Sequence, residues 1–181
     1  TRAQLLGQIM RNYDTPIAVS GTHGKTTTTS MISQILLEAD ADPTISVGGI
    51  LPSIAGNIRV GQSETFITEA CEYTNSFLSF FPKISVILNI DADHLDFFKD
   101  IDDIRHSFRK FAQLLPADGA LIINADTPHY QDIIKDLSCK IITYGLEHEA
   151  QYQATDITYD KYGHASFTVL KDGRKAGSFY L

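Results

Sequence analysis

Short apolar runs of strand length alternate with longer segments of helical period along the first 145 residues. Ile17–Ser20, Thr44–Val47, Thr65–Glu69, Ile84–Asn89, Ala120–Asn124 and Lys140–Tyr144 read as strands, most of them apolar enough to be buried on both faces. Between them lie candidate helices. Arg2–Arg11 offers Leu5, Leu6, Ile9 and Met10 for packing, and Thr26–Ala39 sets Met31, Ile32, Ile35, Leu36 and Ala39 on one face. Ile101–Leu115 repeats apolar residues at Ile101, Ile104, Phe108, Phe111 and Leu115, with Asp102 and Asp103 favourable in its first turn; Pro128–Leu137 is a fourth helix. Residues 50–63, with Pro52, Gly56, Asn57 and Gly61, read as loop. Strands alternating with helices predict an α/β fold, a mostly parallel sheet with helices on both faces. After Gly145 the pattern becomes the in–out alternation of half-exposed strands over Tyr152–Tyr159, Ser166–Leu170 and Ala176–Leu181. Turns are expected at Tyr162-Gly163 and Asp172-Gly173. Residues 146–181 are thus expected to add a small C-terminal antiparallel β-sheet to a core of residues 1–145.

Ligands of such sheets bind outside the carboxyl ends of the strands, and the polar residues of this chain collect there. The first strand runs into Gly21-Thr22-His23-Gly24-Lys25-Thr26-Thr27 and then a helix. That order is the context of a phosphate-binding loop, in which backbone N–H groups and the helix N-terminus attract an anion. Lys25 can reach the β- and γ-phosphates of a nucleotide, and the Thr26 hydroxyl can ligate Mg²⁺. Val19 stands where the general pattern has its first glycine, so the loop is a short variant. Glu69 closes another strand and can hold Mg²⁺; Glu72, three residues on, reads as solvated or loop-orienting. Asn89-Ile90-Asp91-Ala92-Asp93-His94-Leu95-Asp96 follows a third strand, with His94 a candidate metal ligand or proton carrier. Each has a plainer explanation, as a solvated strand-end glutamate, a solvated loop histidine, or a helix cap at Asp93. Their common place beside the phosphate loop favours the functional one. Asn124-Ala125-Asp126 belongs to the same rim.

Composition narrows the partners. The 181 residues are 43% hydrophobic and 20% charged, as in a globular protein, and the net charge of −7 argues against a nucleic-acid or anionic-membrane surface. No apolar run reaches the length of a membrane span. The two cysteines, Cys71 and Cys139, fit a reducing compartment better than a disulfide framework.

The phosphate loop, Glu69-Ala70-Cys71-Glu72 and the Asn89–Asp96 segment, in that order, resemble the central ATPase domain of the Mur ligases, cytoplasmic enzymes of bacterial peptidoglycan synthesis. Gly48-Gly49-Ile50-Leu51, Gly56-Asn57-Ile58-Arg59 and Tyr73-Thr74-Asn75-Ser76-Phe77-Leu78 bring it nearest the branch that joins L-alanine to UDP-N-acetylmuramate. The resemblance implies a P-loop ATPase-like fold, ATP and Mg²⁺ as cofactors, and reaction of the sugar-nucleotide carboxylate with ATP to an acyl phosphate that the L-alanine amine displaces. By motif it gives the seven residues Gly21–Thr27 to the nucleotide, Lys25, Glu69 and His94 to catalysis, Thr26 and Glu69 to a first Mg²⁺ and His94 to a second. Where several relatives carry a carbamylated lysine, Phe108 stands here. Family members also have an amino-terminal domain for the uridine nucleotide and a carboxy-terminal domain for the amino acid. This chain is therefore expected to be an excised central domain, inactive alone. A sister ligase, a folylpolyglutamate-type enzyme or a bare nucleotide-binding module stays open; a guanine-nucleotide switch would want an Asn-Lys-x-Asp signature, which is missing. Lys25→Ala is expected to abolish nucleotide-dependent chemistry in a full-length parent and leave the fold intact, which activity and unfolding measurements check.

Overall fold

The computed structural model describes all residues from Thr1 to Leu181. Ten strands form one sheet: β1 (Thr15–Ser20), β2 (Thr44–Leu51), β3 (Gly56–Arg59), β4 (Thr65–Glu69), β5 (Ile84–Ile87), β6 (Ala120–Asn124), β7 (Lys140–Gly145), β8 (Tyr152–Tyr159), β9 (Ala165–Lys171) and β10 (Arg174–Tyr180). Their order across the sheet is β10-β9-β8-β7-β6-β5-β1-β4-β2-β3. From β2 to β8 every neighbouring pair is parallel, while β3, β9 and β10 run antiparallel to their neighbours. Four α-helices accompany them: α1 (Arg2–Met10), α2 (Lys25–Glu38), α3 (Ile101–Ala112) and α4 (Tyr130–Ile134).

Successive residues of the central strands face opposite layers, as the two-residue strand period requires. Ala18 and Phe66 point into the larger core with Phe77, Phe108, Phe111 and Leu121, where α1, α3 and α4 contribute Leu6, Ile104 and Ile133. Ile17 and Ile67 point the other way, against Ile32, Leu36 and Leu37 of α2. Helix α3 matches its sequence pattern closely. Asp100 caps it by accepting the Asp103 N–H at 2.9 Å, and Ile104, Phe108 and Phe111 are fully buried. Phe77 stacks on Phe111 at 4.7 Å and meets Phe108 edge-on.

Helix α2 departs from the expected face. Met31 and Ile35 are exposed, and Thr29 and Ser33 are buried in their place. Small side chains let the helix that follows the phosphate loop lie close on the sheet, and Ser33 Oγ is satisfied by the Thr29 carbonyl at 2.7 Å. The loop expected over residues 50–63 is more ordered than its composition indicates. Strand β2 continues through Gly48 and Gly49 to Leu51, a 3-10 turn spans Pro52–Ile54, and β3 returns antiparallel at the sheet edge. The helix expected over Pro128–Leu137 shortens to α4.

The C-terminal strands are antiparallel as expected, with Asp172, Gly173 and Gly163 of the two turns in the left-handed region. They continue the main sheet, because β8 pairs with β7 through Tyr144–Tyr152 and Gly145–Gln153. Asp126 fixes this junction. Its carboxylate accepts the N–H groups of Leu146 at 2.6 Å, Glu147 at 3.2 Å and His148 at 2.8 Å, and lies 3.0 Å from the His148 ring. Burial alone would raise the Asp126 pKa, but the Leu146 and His148 N–H groups and the His148 ring hold it below the ordinary aspartate range. A depressed carboxyl stabilises the fold above its unfolded pKa, and that contribution disappears as the pH falls through the lowered folded value. Asp126→Asn is therefore expected to lose about 1–2 kcal/mol in urea unfolding at pH 6. The gap to wild type should close below about pH 4.

Candidate functional site

Three of the sequence motifs lie side by side because β1 is the parallel neighbour of both β4 and β5. The register sets Val19 opposite Glu69 and Ser20 opposite Ile87, so all three strands end at one level. The phosphate loop follows the middle strand, Glu69 ends the strand on one side, and Asn89–Asp96 follows the strand on the other.

The loop is held from the β5 side. Gly21 has φ 147°, and a Cβ there would lie 2.9 Å from the Leu88 Cβ, so only glycine lets the two backbones approach. The Asn89 side chain accepts the His23 N–H at 2.8 Å and returns a bond to the His23 carbonyl at 3.0 Å, while the Asn89 carbonyl accepts the Thr22 N–H at 3.1 Å. Thr22 is buried, and its hydroxyl accepts the Asp91 N–H at 2.9 Å. The polar groups of Thr22 and the backbone of His23 therefore hold the loop's shape. Gly24, at φ 84°, turns the chain into α2. The N–H groups of Lys25, Thr26 and Thr27 open the helix without intrahelical acceptors, the arrangement that receives an anion.

On the β4 side, the Thr26 hydroxyl donates to Glu69 Oε2 at 3.0 Å, and the other carboxylate oxygen accepts the Gly48 N–H at 2.5 Å. A Cβ on Gly48 would come within 2.9 Å of that carboxylate, and one on Gly49 within 3.2 Å of Thr26, so the paired glycines of β2 make room for Glu69 and Thr26. A hydroxyl and a carboxylate in contact form an oxygen pair of the kind Mg²⁺ accepts, with its other positions left to water and phosphate. Beside them is a cavity of about 250 Å³ lined by Arg2, Ser46, Gly48, Glu69, Cys71 and Ser76. Cys71 is exposed and Cys139 buried, and both are free thiols.

Lys25 does not extend into solvent. Its ammonium donates to the carbonyls of Gly21 at 2.6 Å and Thr22 at 3.1 Å, and to Glu72 at 3.0 and 3.2 Å. Glu72 is only 2% exposed, so of the two expectations, solvated or loop-orienting, the first does not hold. A glutamate in a short turn after a strand carries no periodic mark of burial, so only the ion pair reveals its place.

His94 makes no hydrogen bond to Thr26 or Glu69, and no three His, Cys, Asp or Glu side chains converge on one point. It has φ 52°, and its ring lies 4.5 Å from the Tyr73 ring and 3.9 Å from the Asp93 carboxylate. Tyr73 donates its hydroxyl to Asp96 at 2.8 Å, a bond to a carboxylate that raises the phenol pKa. The His94 loop is thereby tied to the segment after Glu72. The third rim group is structural, since Asp126 clamps residues 146–148 and Asn124 Oδ1 accepts the Asp126 N–H at 2.9 Å.

A family model described as the Mur ligase middle domain matches residues 19–178. The chain is 64% identical over 173 residues to the UDP-N-acetylmuramate–L-alanine ligase of Agathobacter rectalis, covering 96% of this chain and 38% of that protein. It is 58% identical over 182 residues to that of Lachnospira eligens, covering 100% of this chain and 40% of that protein. It thus spans about two fifths of the length of these relatives. Among solved structures, the UDP-N-acetylmuramate:L-alanyl-γ-D-glutamyl-meso-diaminopimelate ligase of Neisseria meningitides superposes with a TM-score of 0.84 at 29% identity, over 97% of this chain and 58% of that one. A Thermotoga maritima ligase solved in complex with ADP has the same fold, with a TM-score of 0.75 at 18% identity over 99% of this chain and 43% of that one.

The Lys25–Glu72 pair modifies the expectation that Lys25→Ala leaves the fold intact, because removing the lysine strands a buried carboxylate. Lys25→Met is expected to cost about 3 kcal/mol in urea unfolding. Lys25→Met/Glu72→Gln should recover most of it, since no buried charge is then unpaired.

Proposed function

The chain belongs to the Mur ligase family, and from that premise we propose that it is the ATP-binding central part of a ligase joining L-alanine to UDP-N-acetylmuramate. The observation that carries the proposal is the contact of Thr26 with Glu69 at the opening of α2, beside Lys25. It supplies a cation, an anion-receiving helix end and a pair of oxygen ligands at one place. A nucleotide polyphosphate with Mg²⁺ needs that set.

In this reading the N–H groups at the start of α2 orient the phosphates, and Lys25 draws charge from the β/γ bridge. Thr26 and Glu69 would hold Mg²⁺, which when bound neutralises the phosphates and polarises the γ-phosphoryl group. His94, at the end of the neighbouring strand, serves the side of the site where the phosphoryl group is transferred. Little covalent chemistry is asked of these residues; positioning and charge neutralisation carry the rate. The carboxylate of UDP-N-acetylmuramate takes the γ-phosphoryl group, ADP leaves, and the L-alanine amine displaces phosphate from the acyl phosphate. The acceptor sugar nucleotide is named in both curated relatives and in the Neisseria structure, whose amine component is a peptide. A peptide-adding ligase is accordingly the second reading. The 64% identity to an alanine-adding relative favours the first.

Calorimetric titration of this chain with Mg–ATP and Mg–GTP tests the nucleotide site. Mg–ATP is expected to bind in preference to Mg–GTP. Lys25→Met/Glu72→Gln should weaken binding roughly 10- to 100-fold, the equivalent of a charge-assisted hydrogen bond of about 1.5–3 kcal/mol. Preference for Mg–GTP, or equal binding by a folded variant, would overturn the assignment.

A further inference from the structure

We propose that Glu72 is a positioning residue for Lys25, holding its ammonium across the loop until an incoming polyphosphate displaces the carboxylate. The inference rests on the reading of this loop as a polyphosphate site. An ammonium has three protons, yet four oxygens surround Lys25 Nζ within 3.2 Å. A phosphate oxygen can bind Lys25 only by replacing one of them. The Gly21 and Thr22 carbonyls move only with the loop backbone, which Asn89 fixes from the other side. Glu72 is the exchangeable partner, and as an anion it also repels the phosphate that approaches.

Burial makes the exchange count. The Lys25 and Glu72 side chains are 16% and 3% exposed, and every side-chain hydrogen bond of Glu72 goes to Lys25. Separating the pair is therefore unfavourable, and that penalty subtracts from phosphate affinity. The compensating use is order. Lys25 is held folded back in a defined place at the loop mouth, where a free lysine side chain would sample many rotamers. Glu72 directly precedes Tyr73, whose ring lies 4.5 Å from that of His94, so its release alters the support of the opposite side of the site.

The test compares wild type with Glu72→Gln, titrating the whole chain with inorganic tripolyphosphate and with Mg–ATP. Glutamine keeps a hydrogen-bonding oxygen and removes the competing charge. Tripolyphosphate is expected to bind the variant about tenfold tighter, the scale of one screened charge–charge interaction. A merely structural Glu72 would give weaker binding on substitution, so unchanged or weaker binding by folded Glu72→Gln overturns the proposal. A second measurement uses the wild type alone. The Glu72 carboxyl ¹³C resonance should shift as tripolyphosphate saturates the site, and a stationary resonance at saturation overturns the proposal even if the variant does not fold. If neither wild type nor Glu72→Gln binds either probe, the nucleotide reading fails and the proposal with it; binding by wild type that folded Glu72→Gln leaves unchanged or weakens overturns the proposal alone.

Discussion

The site depends on one arrangement, the placement of β1 between β4 and β5 with all three strands parallel and ending at one level. Segments separated by some 45 and 70 positions in sequence thereby deliver the phosphate loop, Glu69 and the Asn89–Asp96 loop to adjoining strand ends. Parallel neighbours cannot be joined by tight turns, so the connecting chain has to cross a sheet face, and the crossings supply both core layers. A one-residue slip between β1 and β4 would turn Ile67 away from α2 and move Glu69 away from Thr26. Packing and chemistry are fixed by the same register.

Around that frame the phosphate loop is organised from both sides. Asn89 copies a strand's pairing pattern with its side-chain amide, and Gly21 makes the approach sterically possible. From the other side Glu72 compensates Lys25 inside the fold. A cation intended for an anionic ligand is otherwise difficult to keep in a partly buried place, since desolvation opposes the charged form. An internal counterion removes that difficulty and introduces competition with the ligand.

The antiparallel end of the sheet is built differently. Beyond β7 the strands are half exposed and pack through cross-strand pairs, Phe167 stacking on Phe179 at 5.7 Å. Its attachment relies on a two-residue parallel pairing and on Asp126, which satisfies three N–H groups at the corner. Asp126 thus serves the fold, and the candidate site contracts to Gly48-Gly49 within β2 and the ends of β4, β1 and β5.

By itself the sequence determined the elements whose pattern is local. Apolar period and an acidic first turn predicted α3, alternation and turn residues predicted the C-terminal hairpins, and apolar runs marked the parallel strands. The strand–glycine turn–helix order at residues 17–39 marked the phosphate loop, and with it Lys25, Thr26 and, at a strand end, Glu69. Other features were decided only by the tertiary structure, because they depend on what lies across a gap in sequence. Thr29 and Ser33 replace Met31 and Ile35 on the inner face of α2 because the helix lies close to the sheet. The extension of β2 through Gly48-Gly49 needed the Glu69 carboxylate beside it, and Asp126 became a clamp once β7 and β8 paired. The burial of Glu72 is the clearest case. Its charge alone reads as solvated, and only the fold, by bringing Lys25 back across 47 positions to within 3.0 Å, makes its burial physically possible.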